Sequence, residues 1–506
     1  MADPHNLDNL PPELQAMILE LLPISARKAM RLVSKHYIAE ASKALWADTT
    51  IDIDSERPLE DLLVASPHGF VDNVRRLSTA PHLWSADIED RVGQLLTKLF
   101  EALPRNRLLE FHSKDFAISK QTLEALFTKQ LCLSKLSILT DHHGLPDIGL
   151  IRDSLDELQS VQIILEGSKE IYRDTCILLQ HTPHLRELKI EDTKNCRYPK
   201  SWPSPLPMHW PNLRHLAAAS LDLARYTDST ASSLFMPQLR FLELDHCRRP
   251  AGFLDLVAGR NEGSGCPCLE TFICRSDGQF RTYYDAQILL RSLSGLTTVV
   301  LDVDDFDLST QLPFLSRVGP SINAWKELQL TLCDDWPVCH DSDLEYIVAS
   351  CKELERLIVT LVNLEPRGAG STHGQQDFPD CKEQLAIIAG ISSLKRLSLV
   401  SCIHESPRDT AEERKLWYAQ FADSIMDTLT GLGSNVEVLD FSSIVTYGVL
   451  IAERDGNGHT WPHYSYRKGS VTFAGYEGQK TVKTIAIPIP FVEITTLSKF
   501  RRWLRE

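Results

Sequence analysis

The stretch Leu239-Arg240-Phe241-Leu242-Glu243-Leu244 decides the fold, because its pattern of apolar residues returns at intervals along the chain. Apolar residues occupy its first, fourth and sixth positions, and mostly polar residues lie between them. That alternation is typical of a short β-strand with one buried face. Twelve copies begin at residues 108, 133, 155, 185, 213, 239, 269, 296, 325, 354, 394 and 436, with successive starts 22 to 42 residues apart.

Helical patterns lie between the copies, as in residues 170–179, 286–293 and 343–348. Each unit therefore consists of one strand, a returning helix and loops. A lone unit cannot bury its leucine face, whereas stacked units share a continuous core. The motif and its spacing of about 30 residues resemble leucine-rich repeats. The resemblance implies an irregular α/β solenoid, a horseshoe with parallel strands on its concave side. An ordinary α/β domain with leucine-rich strands is the alternative.

Two gaps in the array are longer than the rest. Residues 365–377 are rich in glycine and polar side chains, which predicts a rim loop, and a helix is expected from about residue 410 to 429. Residues 446–506 depart from the repeat and end in a basic helical pattern at 498–505. We therefore predict a helical linker or N-terminal cap over 51–105, repeats over 106–445 and a C-terminal cap over 446–506.

Residues 10–46 carry a different pattern, typical of three short helices. The first opens at Leu-Pro-Pro-Glu-Leu, residues 10–14, because proline is tolerated in a first helical turn. Pro23 ends this helix, Ser25 is expected to cap the second, and the third closes at Trp46. The apolar face of the first helix comprises Leu14, Met17, Ile18, Leu21 and Leu22.

Three helices in under 40 residues bury little surface by themselves, so we expect their apolar faces to be shared with something else. The segment is also locally basic in an acidic chain. This indicates an acidic partner, with a solvated helix face as the alternative. The basic residues are Arg27, Lys28, Arg31, Lys35 and Lys43, against Glu40 alone over 27–43.

The stretches Leu10-Pro11-Pro12-Glu13-Leu14, Arg31-Leu32-Val33-Ser34-Lys35 and Leu45-Trp46, with Ile18 and Leu22, resemble the F-box over residues 1–50. Ser25-Ala26-Arg27 departs from the Asp-Leu pair of many F-boxes. The resemblance implies docking on a Skp-type adaptor, and through it on a cullin–RING ubiquitin ligase. A plain three-helix cap of the repeats is the alternative. By position, the adaptor-binding residues are Leu10, Pro11, Leu14, Ile18, Leu22 and Val33.

Composition excludes several classes of protein. The formal net charge of −15 disfavours binding to nucleic acid or to an anionic membrane. No stretch is apolar enough to span a membrane, and the first residues do not resemble a secretory signal, so we expect an intracellular protein, cytoplasmic or nuclear. The cysteines are expected to be reduced. Seven of them are expected to pack as small hydrophobes: Cys176, Cys247, Cys268, Cys274, Cys333, Cys351 and Cys402.

No sequence motif indicates catalysis, a cofactor or a bound metal. The pair Cys266 and Cys268 is one residue short of a zinc-binding Cys-x-x-Cys, so an ordinary loop is favoured there. The acidic run that starts at Asp302 lacks the glycine and terminal glutamate of a calcium loop and indicates a solvated rim or a patch for a basic target. The exposed strand positions carry both signs of charge, which favours a protein target over nucleic acid.

The order of modules resembles F-box proteins with leucine-rich repeats, and this resemblance implies a non-catalytic substrate receptor of an SCF-type (Skp–cullin–F-box) ubiquitin ligase. The N-terminal helices bind the adaptor, and the repeats hold an unidentified protein target near the ligase. A non-degradative scaffold built from the same modules is the alternative.

Overall fold

A computed structural model of the protein describes residues 10–33, 35–52, 70–80, 86–140, 145–165, 169–192, 210–223, 236–259, 266–276, 286, 289–303, 318, 320–332, 341–361, 381–401, 411–443, 464–474 and 480–489. The chain divides into two compact units, Met1–Leu239 and Arg240–Glu506. The predicted loop at 365–377 and the predicted helix at 498–505 lie outside the described residues.

The first unit begins with three helices and continues as strands that alternate with helices. Strands β1 to β7 pair in chain order, each parallel to the next. Its elements are α1 (Pro12–Leu21), α2 (Ile24–Val33), α3 (Lys35–Trp46), β1 (Asp48–Asp52), α4 (Phe70–Asn73), β2 (Arg76–Ala80), α5 (Ala86–Ala102), β3 (Glu110–Ile118), α6 (Lys120–Lys129), β4 (Lys135–Thr140), α7 (Ile148–Leu155), β5 (Ser160–Leu165), α8 (Lys169–Gln180), β6 (Glu187–Asp192) and β7 (His215–Ala219).

The second unit continues the alternation and ends in antiparallel strands. Its elements are β8 (Phe241–Asp245), α9 (Ala251–Val257), β9 (Thr271–Ser276), β10 (Thr298–Val303), a 3-10 turn (Pro320–Ala324), β11 (Glu327–Leu332), α10 (Asp341–Ser350), β12 (Arg356–Thr360), α11 (Cys381–Ala389), β13 (Arg396–Ser401), α12 (Ala411–Gly431), β14 (Val438–Ser443), β15 (Tyr464–Ala474) and β16 (Lys480–Pro488). Strands β8 to β14 are parallel, and β15 and β16 are antiparallel to their neighbours. The prediction of a mixed α/β chain is confirmed, as is the helix near 410–429.

One backbone arrangement recurs at the start of the strands. The carbonyl oxygen of the residue before a strand accepts two N–H groups from the start of the next strand. Ser134 accepts from Gln159 and Ser160 at 2.8 and 3.1 Å, and Glu355 accepts from Lys395 and Arg396 at 2.9 and 3.0 Å. This repeated pair of bonds fixes the parallel register, so that alternate side chains of every strand turn to the same buried face.

The structure shifts the third sequence copy by three residues. Leu155 is the last residue of α7, whereas Leu158 precedes β5 by two residues, as Leu133 precedes β4 and Leu185 precedes β6. All four leucines are buried. The predicted start at Leu155 is therefore wrong, because that leucine fills the core from the helix rather than from the approach to a strand.

Strands also lie in the segment 51–105, for which a helical linker was expected. The parallel array starts at β1 and β2, before the first sequence copy. Each of these strands buries only one large apolar side chain, Ile51 in β1 and Leu77 in β2, and the other buried position in each is a threonine. The leucine motif is therefore absent, although the strand geometry is the same.

The antiparallel strands at the end of the second unit are attached through the carboxylate of Asp440. This carboxylate accepts from Arg396 Nη2 and from the buried Ser398 Oγ, each at 2.9 Å, and from Ser465 Oγ on β15. Asp440 is itself buried. A buried carboxylate needs such donors, so this network stabilises the change from parallel to antiparallel pairing.

Candidate functional site

The first and third N-terminal helices end where their sequence predicts, α1 before Pro23 and α3 at Trp46. Helix α1 begins at Pro12, and Gln15 donates from Nε2 to the Leu10 carbonyl oxygen at 2.8 Å. Its last turn closes at Leu22. Helix α2 begins at Ile24, one residue before the predicted cap. The expectation for Ser25 is therefore wrong, because Ser25 is already inside the helix.

These helices share a small core. Leu19, Ala41 and Ala44 are almost fully buried, and Leu22 and Met30 pack against them. Helix α3 contacts α1, α2, α4 and β1. A core of this size contributes little stability, so the attachment of α3 to the rest of the first unit matters for the order of all three helices.

That attachment centres on Trp46, the last residue of α3. Its ring meets the ring of buried Phe70 edge to face, with centroids 5.4 Å apart. The Trp46 carbonyl oxygen accepts from Thr49 Oγ1 at 2.8 Å. An edge-to-face aromatic pair contributes about 0.5–1.5 kcal/mol beyond the burial of its area. The helices are thus fixed to the first strand of the sheet.

Arg27 ties the ends of the three helices together. Its guanidinium donates to the carbonyl oxygens of Leu22 at 2.8 Å, Ala44 at 2.7 Å and Glu20 at 2.6 Å. These carbonyls belong to helix ends, where no further turn of helix can satisfy them. Arg27, one of the basic residues of the segment 27–43, therefore bonds within the three helices. It belongs to Ser25-Ala26-Arg27, where the sequence departs from the F-box pattern. Of its neighbours, Lys28 is exposed.

Large apolar side chains are exposed on the first two helices. On α1, Leu14 is 45% exposed, Met17 59% and Leu21 84%. Helix α2 has no buried residue, and its Leu32 is 89% exposed. We define the N-terminal apolar surface as the exposed residues Leu14, Met17, Leu21, Ile24, Leu32 and Val33. Burying apolar area is worth about 25 cal/mol per Å², which makes these side chains a candidate interaction site.

The predicted adaptor-binding residues fall into two groups. Pro11, Leu14 and Val33 are exposed, whereas Leu10, Ile18 and Leu22 are half-buried. Leu22 is half-buried because it packs on the small core. Sequence reasoning left Leu32 unassigned. Adjacent helical residues point about 100° apart, so Leu32 and the core residue Met30, two positions apart, cannot share a face.

The polar face of the first unit carries a row of paired charges. Arg76 lies 3.5 Å from Asp48 and 3.5 Å from Glu110, and Lys135 lies 3.6 Å from Glu110. The hydrogen bond from His112 and the neighbouring cations lower the pKa of Glu110, against the effect of its burial. These charges neutralise one another across successive strands.

The second unit shows the same pairing. Arg356 donates to Glu327 at 2.6 Å, and Arg275 donates to Glu243. Burial of the Arg275 guanidinium disfavours its charge, but Glu243, Asp245 and Asp302 outweigh burial and raise its pKa. Neighbouring strands thus carry opposite charges that pair with one another, rather than a basic stripe.

The described residues include no group of three or more His, Cys, Asp or Glu side chains placed to hold a metal ion. Eight described cysteines are free thiols. Burial raises the pKa of Cys266 and of Cys351 to about 12. Cys268 is exposed, so the expectation that it packs as a small hydrophobe is wrong. Cys333 and Cys402 lie outside the described residues.

Comparison with known proteins gives no family: no protein-family model matches the chain, and no curated protein matches it. Among the helices that the structure describes, none combines the length and the apolar character needed to cross a bilayer.

Proposed function

We propose that the chain is a non-catalytic substrate receptor of an SCF-type ubiquitin ligase. In this proposal the N-terminal helices are an F-box that binds a Skp-type adaptor, and the strand–helix array is a set of leucine-rich repeats that binds a protein target. The observation that carries the proposal is the N-terminal apolar surface, since six large apolar side chains within residues 14–33 face solvent.

The manner in which the helices are held supports the same function. Arg27 and the Trp46–Phe70 pair bond the helix ends, while Leu19 and Met30 serve the small core, so the exposed apolar side chains of α1 and α2 are not needed for it. A preorganised surface loses less conformational entropy when it binds. The array then needs no chemistry of its own, because holding a target near a ligase raises its effective concentration there.

The test is co-purification of the full chain with a Skp-type adaptor. Leu14→Asp and Leu21→Asp place a charge in the N-terminal apolar surface and are expected to abolish binding. The matched control is Leu150→Asp, because Leu150 on α7 is 62% exposed and lies outside that surface. Wild-type recovery of the adaptor with Leu14→Asp and Leu21→Asp would refute the proposed interface.

A further inference from the structure

The β15–β16 hairpin exposes apolar side chains in the half farther from β14. Only residues 464–467 of β15 pair with β14, and the hairpin continues beyond them. We define the distal hairpin as residues 470–474 and 480–484. Within it, Phe473 is 53% exposed, Val482 65% and Val471 36%. These side chains contribute little to the core of the second unit.

Strand β16 has an outer edge, on the side away from β15. The half of this edge that lies nearer to β14 is already closed. Ala486 donates its backbone N–H to Asp423 Oδ1 on α12 at 2.6 Å, so this N–H points away from β15. Ile489 donates its backbone N–H to the Ser465 carbonyl oxygen at 2.9 Å, so the backbone N–H and C=O groups of the odd-numbered residues of β16 point toward β15. Pro488 lies two residues beyond Ala486, so its backbone also faces outward, and as a proline it has no N–H to donate. A carboxylate and a proline are two devices that prevent a further strand from pairing.

The distal half has the opposite character. Backbone N–H and C=O groups alternate between the two edges of a strand, so those of Val482 and Thr484 point outward, as at Ala486. Within the described residues, β15 is the only strand that pairs with β16. In the described part of the chain the edge is therefore open at Val482 and Thr484 and closed at Ala486 and Pro488, which limits an added strand to a short segment.

The charge of the hairpin contrasts with that of the chain. Strands β15 and β16 contain Arg467, Lys468, Lys480 and Lys483 and no acidic residue, while the chain as a whole has a net charge of −15. The connecting residues 475–479 add one acidic side chain, Glu477. The distal hairpin itself contains Lys480 and Lys483 and no acidic residue, and a basic segment of an acidic protein favours an acidic partner.

We propose that the distal hairpin binds an extended acidic segment of a partner protein, which adds as a strand beside Val482 and Thr484. Lys483 and Val482 are adjacent in β16, so their side chains lie on opposite faces. The segment that fits alternates carboxylates, which meet exposed Lys483, with apolar side chains, which meet Val482. This proposal does not depend on what the N-terminal helices bind.

The experiment uses the full chain and a fluorescein-labelled peptide of alternating glutamate and valine, followed by fluorescence anisotropy. Lys483→Glu removes an exposed ion pair and places a like charge beside the carboxylates of the peptide, so binding is expected to weaken at least about fivefold. Thr484→Pro removes an outward N–H without removing a bond to β15, and about tenfold weaker binding is expected. The matched control is Lys326→Glu, which makes the same charge change at an exposed site and leaves binding unchanged.

Hydrogen exchange gives an independent reading should Thr484→Pro fail to fold. In the free wild-type chain the amides of Val482 and Thr484 exchange fast, and the peptide slows both. Slow exchange in the free chain would mean that another segment or a second copy covers the edge, and would overturn the proposal.

Anionic surfaces of other kinds are the remaining competitors. Equal binding of duplex DNA or of phosphatidylserine vesicles, sensitive to Lys483→Glu and insensitive to Thr484→Pro, would also overturn the proposal. Strand addition requires the backbone group that Thr484→Pro removes, whereas simple attraction of an anion does not.

Discussion

Arg27→Ala should loosen the N-terminal helices without changing their apolar surface. Arg27 bonds the carbonyl oxygens of Leu22 and Ala44 at 2.8 and 2.7 Å, and an exposed bond goes to Glu20. A hydrogen bond from a charged donor contributes about 1.5–3 kcal/mol. The exposed bond to Glu20 contributes little because water competes for it, and water rehydrates part of the freed carbonyls. The expected loss in the free energy of opening these helices is about 2–3 kcal/mol.

Hydrogen exchange of the full chain measures this loss directly, because small units open locally before the whole protein unfolds. Amides of α1 to α3 should exchange about 30- to 150-fold faster in Arg27→Ala, given a factor of ten for each 1.4 kcal/mol. Lys28→Ala removes the same charge from an exposed neighbouring position and should change exchange little. Equal exchange in the two variants would refute the structural role of Arg27.

Three further predictions concern the strand–helix array. Asp440→Ala should lower the free energy of unfolding by about 3 kcal/mol, since it leaves buried donors without their acceptor; an unchanged urea midpoint would contradict this. The lowered pKa of Glu110 contributes stability that is complete above its ordinary value of 4.5 and is lost as the pH falls through the lower folded value. The difference in the free energy of unfolding between the wild type and Glu110→Gln should therefore shrink as the pH falls into the acid range. A difference that stays constant with pH would contradict this prediction. In the native protein iodoacetamide should alkylate the exposed Cys132 and Cys268 but not Cys266, whose pKa is raised to about 12; mass spectrometry of the peptides decides.

The strand array could be predicted because buried parallel strands impose a short period on the sequence. Leu188 and Ile190 are buried in β6 while Lys189 between them is exposed, and the same alternation is visible in the sequence. Strand β2 was missed because Leu77 is its only buried leucine. The copy at Leu155 was misplaced because a helix end and a strand start both need leucine, and spacing alone does not separate them.

The candidate site was predictable only in part. The proline-rich start of α1 and its apolar face are local features, and they located the helices. The roles of Arg27 and Leu32 depend on which side of α2 meets α3, and that choice is made by packing around Met30. The closure of the β16 edge at Ala486 was not foreseen at all, because it depends on Asp423, more than fifty residues away in the chain.

Co-expression of the full chain with a Skp-type adaptor, followed by size-exclusion chromatography with light scattering, tests the central proposal most directly. The proposal predicts a stable equimolar complex, and the N-terminal apolar surface should become protected from hydrogen exchange within it. A folded chain that elutes alone, at the mass of a monomer and in the presence of excess adaptor, would contradict the proposal and leave the three helices as a cap of the strand array.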